Sequence, residues 1–107
     1  MLFHFMLKME NVRKYKSLIK FAIRSSQQKR IELLSKFNDA IIKTICEIFL
    51  NVVEETISVP ASVKRDLRKH KQLVFKLVQP NISIAVKKQA LIKNKGLVLV
   101  PLANIIP

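Results

Sequence analysis

Few side chains in this 107-residue chain could carry covalent chemistry. The single cysteine, Cys46, is a possible nucleophile, His4 and His70 are possible ligands or bases, and Glu47, Glu54 and Glu55 could act as paired carboxylates. Each pattern lacks what its chemistry requires. A reactive thiolate needs a basic, partly exposed setting, whereas Cys46 lies in an apolar run that suits a small buried hydrophobe. Two distant histidines and one cysteine give no metal-ligand spacing. The three acids fall on the solvated stripe of a helix, and acid–base work needs a cleft that shifts pKa values. One glycine in the whole chain rules out a glycine-rich phosphate loop. The residues therefore predict no enzyme, no metal site and no cofactor.

Cations are what the sequence holds in excess: 20 Lys and Arg against 7 Asp and Glu, a net charge of +13. They cluster at the two ends. Residues 1–31 carry eight basic residues against Glu10, residues 32–56 carry two against five acids, and residues 57–107 carry ten against Asp66. Charge of this size implies a polyanionic partner or an anionic surface. The densest stretch is KRDLRKHKQLVFKLV at 64–78. Phosphate binding asks only for many cations on one face, because released counterions drive it. The candidate binding residues are Lys64, Arg65, Arg68, Lys69, Lys71 and Lys76, with a second group at Lys87, Lys88, Lys93 and Lys95. The phosphate could belong to DNA, RNA or lipid, and KRDLRKHK also reads as a weak nuclear-import signal. Phe49 and Phe75 sit in apolar patterns and are expected in the core, not as base-stacking platforms. No set of side chains at recognition-helix spacing stands out, so the interaction expected is with phosphate, without base readout.

The elements that must position these cations are helical. Apolar residues at Val12, Tyr15, Leu18, Ile19, Ala22 and Ile23 recur at helical spacing, with Arg13, Lys14, Lys16, Lys20 and Arg24 opposite. Ser26 can cap a short second helix over 27–36. Residues 38–56 are apolar around most of their circumference except for a stripe of Lys43, Glu47, Asn51 and Glu54, the pattern of a core helix, with Asn38 or Asp39 as cap. After a break at Pro60, one helix is expected from about 62 to 78, with Val63, Leu67, Val74, Leu77 and Val78 inward. Ser83 opens a last helix with Ile84, Val86, Ala90 and Leu91 inward and Lys87, Lys88 and Lys95 outward. Gly96 is expected to end it as the C′ residue. The uncharged run LVLVPLANIIP follows, and its prolines forbid a long helix.

The fold class expected is all-α, a small bundle of four to five short helices with an extended apolar C-terminal tail. Three stretches are distinguished: 1–26, a basic N-terminal helix or extension; 27–95, a helical core with a basic face; and 96–107, the tail. One cysteine excludes an internal disulfide and suits a reducing compartment. The first 31 residues are basic, carry serines and hold one acid, which keeps a mitochondrial presequence as a minor alternative. Met9 is an alternative start, with residues 1–8 an upstream extension. No run reaches the roughly 20 apolar residues of a membrane-spanning helix.

Three segments in order, NDAIIKTICEIFLNVV, KRDLRKHKQLVFKLV and SIAVKKQALIKNKG, followed by an apolar tail, resemble small basic proteins encoded by Maverick (Polinton) elements and adintoviruses. The resemblance covers roughly residues 27–102. It implies a virion-core-like protein that packages double-stranded DNA, located in the host nucleus and the virion. Two departures stand out. That family usually shows a Gly-Gly pair before the tail, where Lys95-Gly96-Leu97 of this chain has a single glycine, and Ala85 and Val86 are apolar at positions otherwise basic. The alternative reading is a membrane-active or capsid-docking protein that engages an anionic membrane or a capsid protein through residues 97–107. A third is a helical protein–protein module with an incidental basic surface.

Overall fold

The computed structural model describes residues 10–54 and 58–106. Among these residues there are six α-helices, one 3-10 helix and no strand. The readings that concern residues 1–8, Met9, His4 and Glu55 fall outside the described residues.

Helix α1 spans Glu10–Arg24 and α2 spans Gln27–Lys36. Ser26 caps α2 by accepting the Lys29 N–H at 3.3 Å. Helix α3, Asp39–Val53, starts at Asn38, whose Oδ1 accepts the Ile41 N–H at 3.0 Å. These caps take up N–H groups that a helix leaves without intrahelical partners. Helix α3 is the hub: Ile42, Ile45, Ile48 and Phe49 are wholly buried, and α1 packs against it. Lys43 and Glu47, four positions apart on α3, do not pair, whereas Glu32 pairs with Lys36 and Lys29 on α2, at 3.1 and 3.6 Å. Exposed pairs of this kind contribute little, so nothing forces one to form over the other.

The single helix expected over 62–78 is two: α4, Ala61–Arg68, and α5, Lys71–Val78. The N–H groups of Lys69 and His70 turn back to Asp66 and Leu67, three residues earlier, which tightens the chain and ends α4. The apolar period continues across this corner, so local sequence does not reveal it. Packing explains it, because α4 lies against the C-terminal segment while α5 lies against α3 and α6. One straight helix would not place Val63 and Leu67 against one neighbour and Val74 and Leu77 against another.

Helix α6, Ile84–Lys93, is capped by Ser83, which accepts the Val86 N–H at 3.3 Å. Its buried side is only partly the expected one: Leu91 and Ile84 face inward as expected, whereas Val86 does not. Leu91 is wholly buried and sets the face, and the residues seven, four and three before it are Ile84, Lys87 and Lys88. Val86 is exposed and Lys87 buried. Helix α6 ends in a Schellman arrangement, with Gly96 N–H bonded to Leu91 O at 3.0 Å and Lys95 N–H to Ile92 O at 2.8 Å. Lys95 therefore holds the C′ position expected of Gly96, and both are left-handed, at φ 62° and 67°.

The apolar tail is not extended. Leu97–Asn104 forms a 3-10 helix, η1, with Pro101 inside it. Val98, Leu99 and Leu102 are fully buried, and Ile105 and Ile106 nearly so. It packs on α1 and α4. The cause is tertiary: α1 and α4 each have an apolar side that α3 does not cover, and an uncharged segment is available to cover both. The tail and α1 thus share one core with α3 to α6. No helix among the described residues is long and apolar enough to cross a membrane.

Candidate nucleic-acid interface

The α4–α5 corner gathers the cations. Lys64, Arg65, Arg68, Lys69 and Lys71 are all exposed on it, and Lys76 is exposed further along α5. On α4, Arg65 precedes Arg68 by three positions and Lys69 by four, so the three lie on one side. Lys69 leans toward Asp66, the one acid here, at 3.7 Å. No side chain caps the N-terminus of α5, which adds a partial positive charge to the corner.

Asn94 fixes the corner to the rest of the molecule. Its Oδ1 accepts the Val98 N–H at 2.8 Å, which opens η1. That leaves its Nδ2 as a donor, 3.3 Å from His70 Nδ1 in the α4–α5 turn. His70 therefore accepts at Nδ1 and tethers the turn to Asn94. Among the described residues no three His, Cys, Asp or Glu side chains gather where a metal ion could sit. Lys93 and Lys95, both exposed, flank Asn94 in the chain and extend the basic surface.

Two candidates leave the interface. Lys87 is only 7% exposed and lines a cavity together with Cys46, Glu47, Leu77 and Ile84. Lys88 Nζ donates to Phe37 O at 2.8 Å. It thereby places a cation on the carbonyl just past the end of α2, where the helix dipole favours one. Both were expected outward; the position of Leu91 turns them in. Cys46 is buried as expected, and burial pushes its thiol from the ordinary 9.0 up to about 11, with nearby Glu47 adding to the effect and Lys87 opposing it. This setting disfavours the thiolate form that a nucleophilic cysteine uses.

Arg30 carries a role that its sequence context does not announce. It is 5% exposed and no carboxylate among the described residues pairs with it; its Nε donates to Lys95 O at 2.9 Å and its Nη1 to Ser25 O at 3.0 Å. One of these partners is 65 positions away, so no local pattern could have revealed it. Arg30 ties the start of α2 to the turn between α6 and η1.

Phe75 also differs from expectation. It is 65% exposed, at the edge of an open groove of about 530 Å³ between the end of α3 and helices α4 and α5. The sequence held a signal for this: Phe75 lies one position beyond Val74, off the stripe formed by Val74, Leu77 and Val78. Phe49, by contrast, is wholly buried.

Comparison with protein-family models, with curated proteins and with solved structures returned no match.

Proposed function

We propose that this chain binds and condenses double-stranded DNA without regard to sequence, as a small virion-core-like protein of Polinton or adintovirus type. The observation that carries the reading is the α4–α5 corner, where five cations face solvent beside a single acid. Lys76, Lys93 and Lys95 extend that surface; Lys87 and Lys88 serve the core and are left out of it. The chemistry is phosphate binding and not catalysis. The resemblance to the mobile-element proteins supplies the DNA and the location, host nucleus and virion.

The alternative through residues 97–107 loses its motivating feature, since Val98, Leu99, Leu102, Ile105 and Ile106 are core. The mitochondrial alternative is weakened in the same way, because α1 buries Ile19 and Ala22 in the core.

The test is titration of purified protein against a random-sequence duplex at several salt concentrations. Neutralising about five phosphates gives a slope of log affinity on log salt of about −4.5. Changing Arg65, Arg68, Lys69 and Lys76 together to Gln should flatten the slope by about 0.9 for each phosphate left unneutralised. A wild-type slope near zero, or equal binding by the variant, would refute the proposal.

A further inference from the structure

The groove beside the corner has a composition that DNA does not explain. Its floor is aliphatic: Val52, Leu67, Val74 and Val78. Two apolar side chains stand at its edges, Val53 at 51% exposure and Phe75 at 65%. Three cations rim it, Lys64, Arg68 and Lys71, and no acid among the described residues lines it. An exposed Phe that lines one groove with three cations, over an aliphatic floor, is a costly surface to leave against water.

We infer that this groove receives an acidic amphipathic helix from a protein partner, its apolar side chains against the floor and Phe75, its carboxylates against Lys64, Arg68 and Lys71. The dimensions suit a helix laid in a groove. Helix α5 has 8 residues, about 12 Å at roughly 1.5 Å per residue. That accommodates anchors at positions i, i+3 or i+4, and i+7. The charge decides among occupants. A second copy of this chain would bring the same three cations to the same groove, on a molecule of net charge +13, and like charges across an interface oppose pairing. A single-stranded nucleic acid would match the rim but needs aromatic faces for its bases, and this floor offers aliphatic side chains and one ring. An acidic helix satisfies rim and floor together. The inference goes beyond DNA binding, and because it shares three cations with the proposed DNA surface, the two ligands exclude each other.

The probe is a fluorescein-labelled 16-residue helical peptide with leucines on one face and glutamates on both flanks. Its control carries lysines in place of the glutamates. Anisotropy with the full chain should show the glutamate peptide binding at least about tenfold tighter than the control, and unlabelled duplex displacing it. Phe75→Ala should weaken the peptide about tenfold, the loss typical of a central aromatic anchor, while changing duplex affinity less than about twofold. Phe75 is mostly exposed, so this variant keeps the fold, which far-UV dichroism verifies. The inference is overturned if the peptide does not bind, or if Phe75→Ala leaves its affinity unchanged. It is equally overturned if Phe75→Ala instead abolishes binding to a thymidine oligonucleotide, capture by anionic vesicles, or self-association in sedimentation. Duplex binding without peptide binding refutes this inference alone; peptide binding without duplex binding refutes the DNA reading alone.

Discussion

Gly96→Ala tests the joint that holds the C-terminal segment to α2. The residue has φ +67°, and a Cβ built there lies 2.7 Å from both Arg30 Cγ and Cδ and 2.8 Å from Nε. Carbon atoms prefer a separation of about 3.5–4.0 Å, so the arginine stem must withdraw by close to an ångström. It cannot swing freely, being buried and held at Lys95 O and Ser25 O. The left-handed backbone costs an alanine about 1 kcal/mol. Loss of one charge-assisted hydrogen bond from a buried guanidinium adds about 2 kcal/mol. The expected destabilisation is about 3 kcal/mol, a large part of the roughly 5–15 kcal/mol typical of a domain. In urea, at a slope of about 1.5 kcal/mol per molar, the midpoint should fall by about 2 M. Arg30→Ala completes a double-mutant cycle. In that background Gly96→Ala should cost only the backbone contribution, leaving a coupling of about 2 kcal/mol. A destabilisation under about 0.5 kcal/mol in the wild-type background, or an equal one in both, would refute the reasoning.

Lys95→Gly should do the opposite, because φ 62° at a lysine is strained and its bond to Arg30 uses only the backbone carbonyl. We expect stabilisation by about 0.5–1 kcal/mol, read in calorimetry as a melting point higher by about 2–6 °C. Truncation after Gly96 removes Val98, Leu99, Leu102, Ile105 and Ile106, all buried. At about 1.5–3 kcal/mol for each side chain the chain should lose its cooperative fold, and a truncated chain with unchanged amide dispersion by NMR would contradict this. Cys46 should resist alkylation at pH 8.5 until urea unfolds the chain. Its folded-state pKa is raised from 9.0 to about 11, so the folded state favours the protonated thiol. That contribution is whole below pH 9 and is lost as pH rises toward 11. Urea midpoints compared between wild type and Cys46→Ala, at pH 8 and pH 10.5, should converge at the higher pH.

Much of the helical framework was legible because each element declares itself locally. The helix over 10–24 shows its period at Val12, Ile19, Ala22 and Ile23, and Ser26, Asn38 and Ser83 stand where caps are needed. What escaped depends on distant partners. The α4–α5 break follows from two neighbours that the sequence does not place side by side. Helix α6 has lysines and apolar residues mixed around its circumference, so its face is decided by Leu91 meeting the core, not by amphipathicity. The C-terminal run has no period of its own, and its burial depends on uncovered sides of α1 and α4. At the corner, Lys64, Arg65, Arg68, Lys69 and Lys71 were legible as cations, whereas Asn94, which holds their turn through His70, was not.

The cations of this chain do three kinds of work, and only one bears on a polyanion. Arg30, Lys87 and Lys88 are built into the fold. Lys29 and Lys36 lie within 4 Å of Glu32. The corner faces solvent, Lys69 included although it leans toward Asp66, and so do Arg13, Lys14 and Arg24 on α1. Net charge therefore overstates the phosphates a single duplex can present to this chain, and the salt slope counts neutralised phosphates, not charge. Binding at one face needs only the corner. Condensation needs more, because one molecule must touch two duplex segments at once. Helix α3 packs against α1 as well as α5, so the basic side of α1 is carried by a different neighbour of the hub from the corner. A slope near −4.5 in dilute duplex, with about five phosphates neutralised, locates binding on the corner, and a steeper one that removing the α1 cations returns toward this value assigns α1 the second grip.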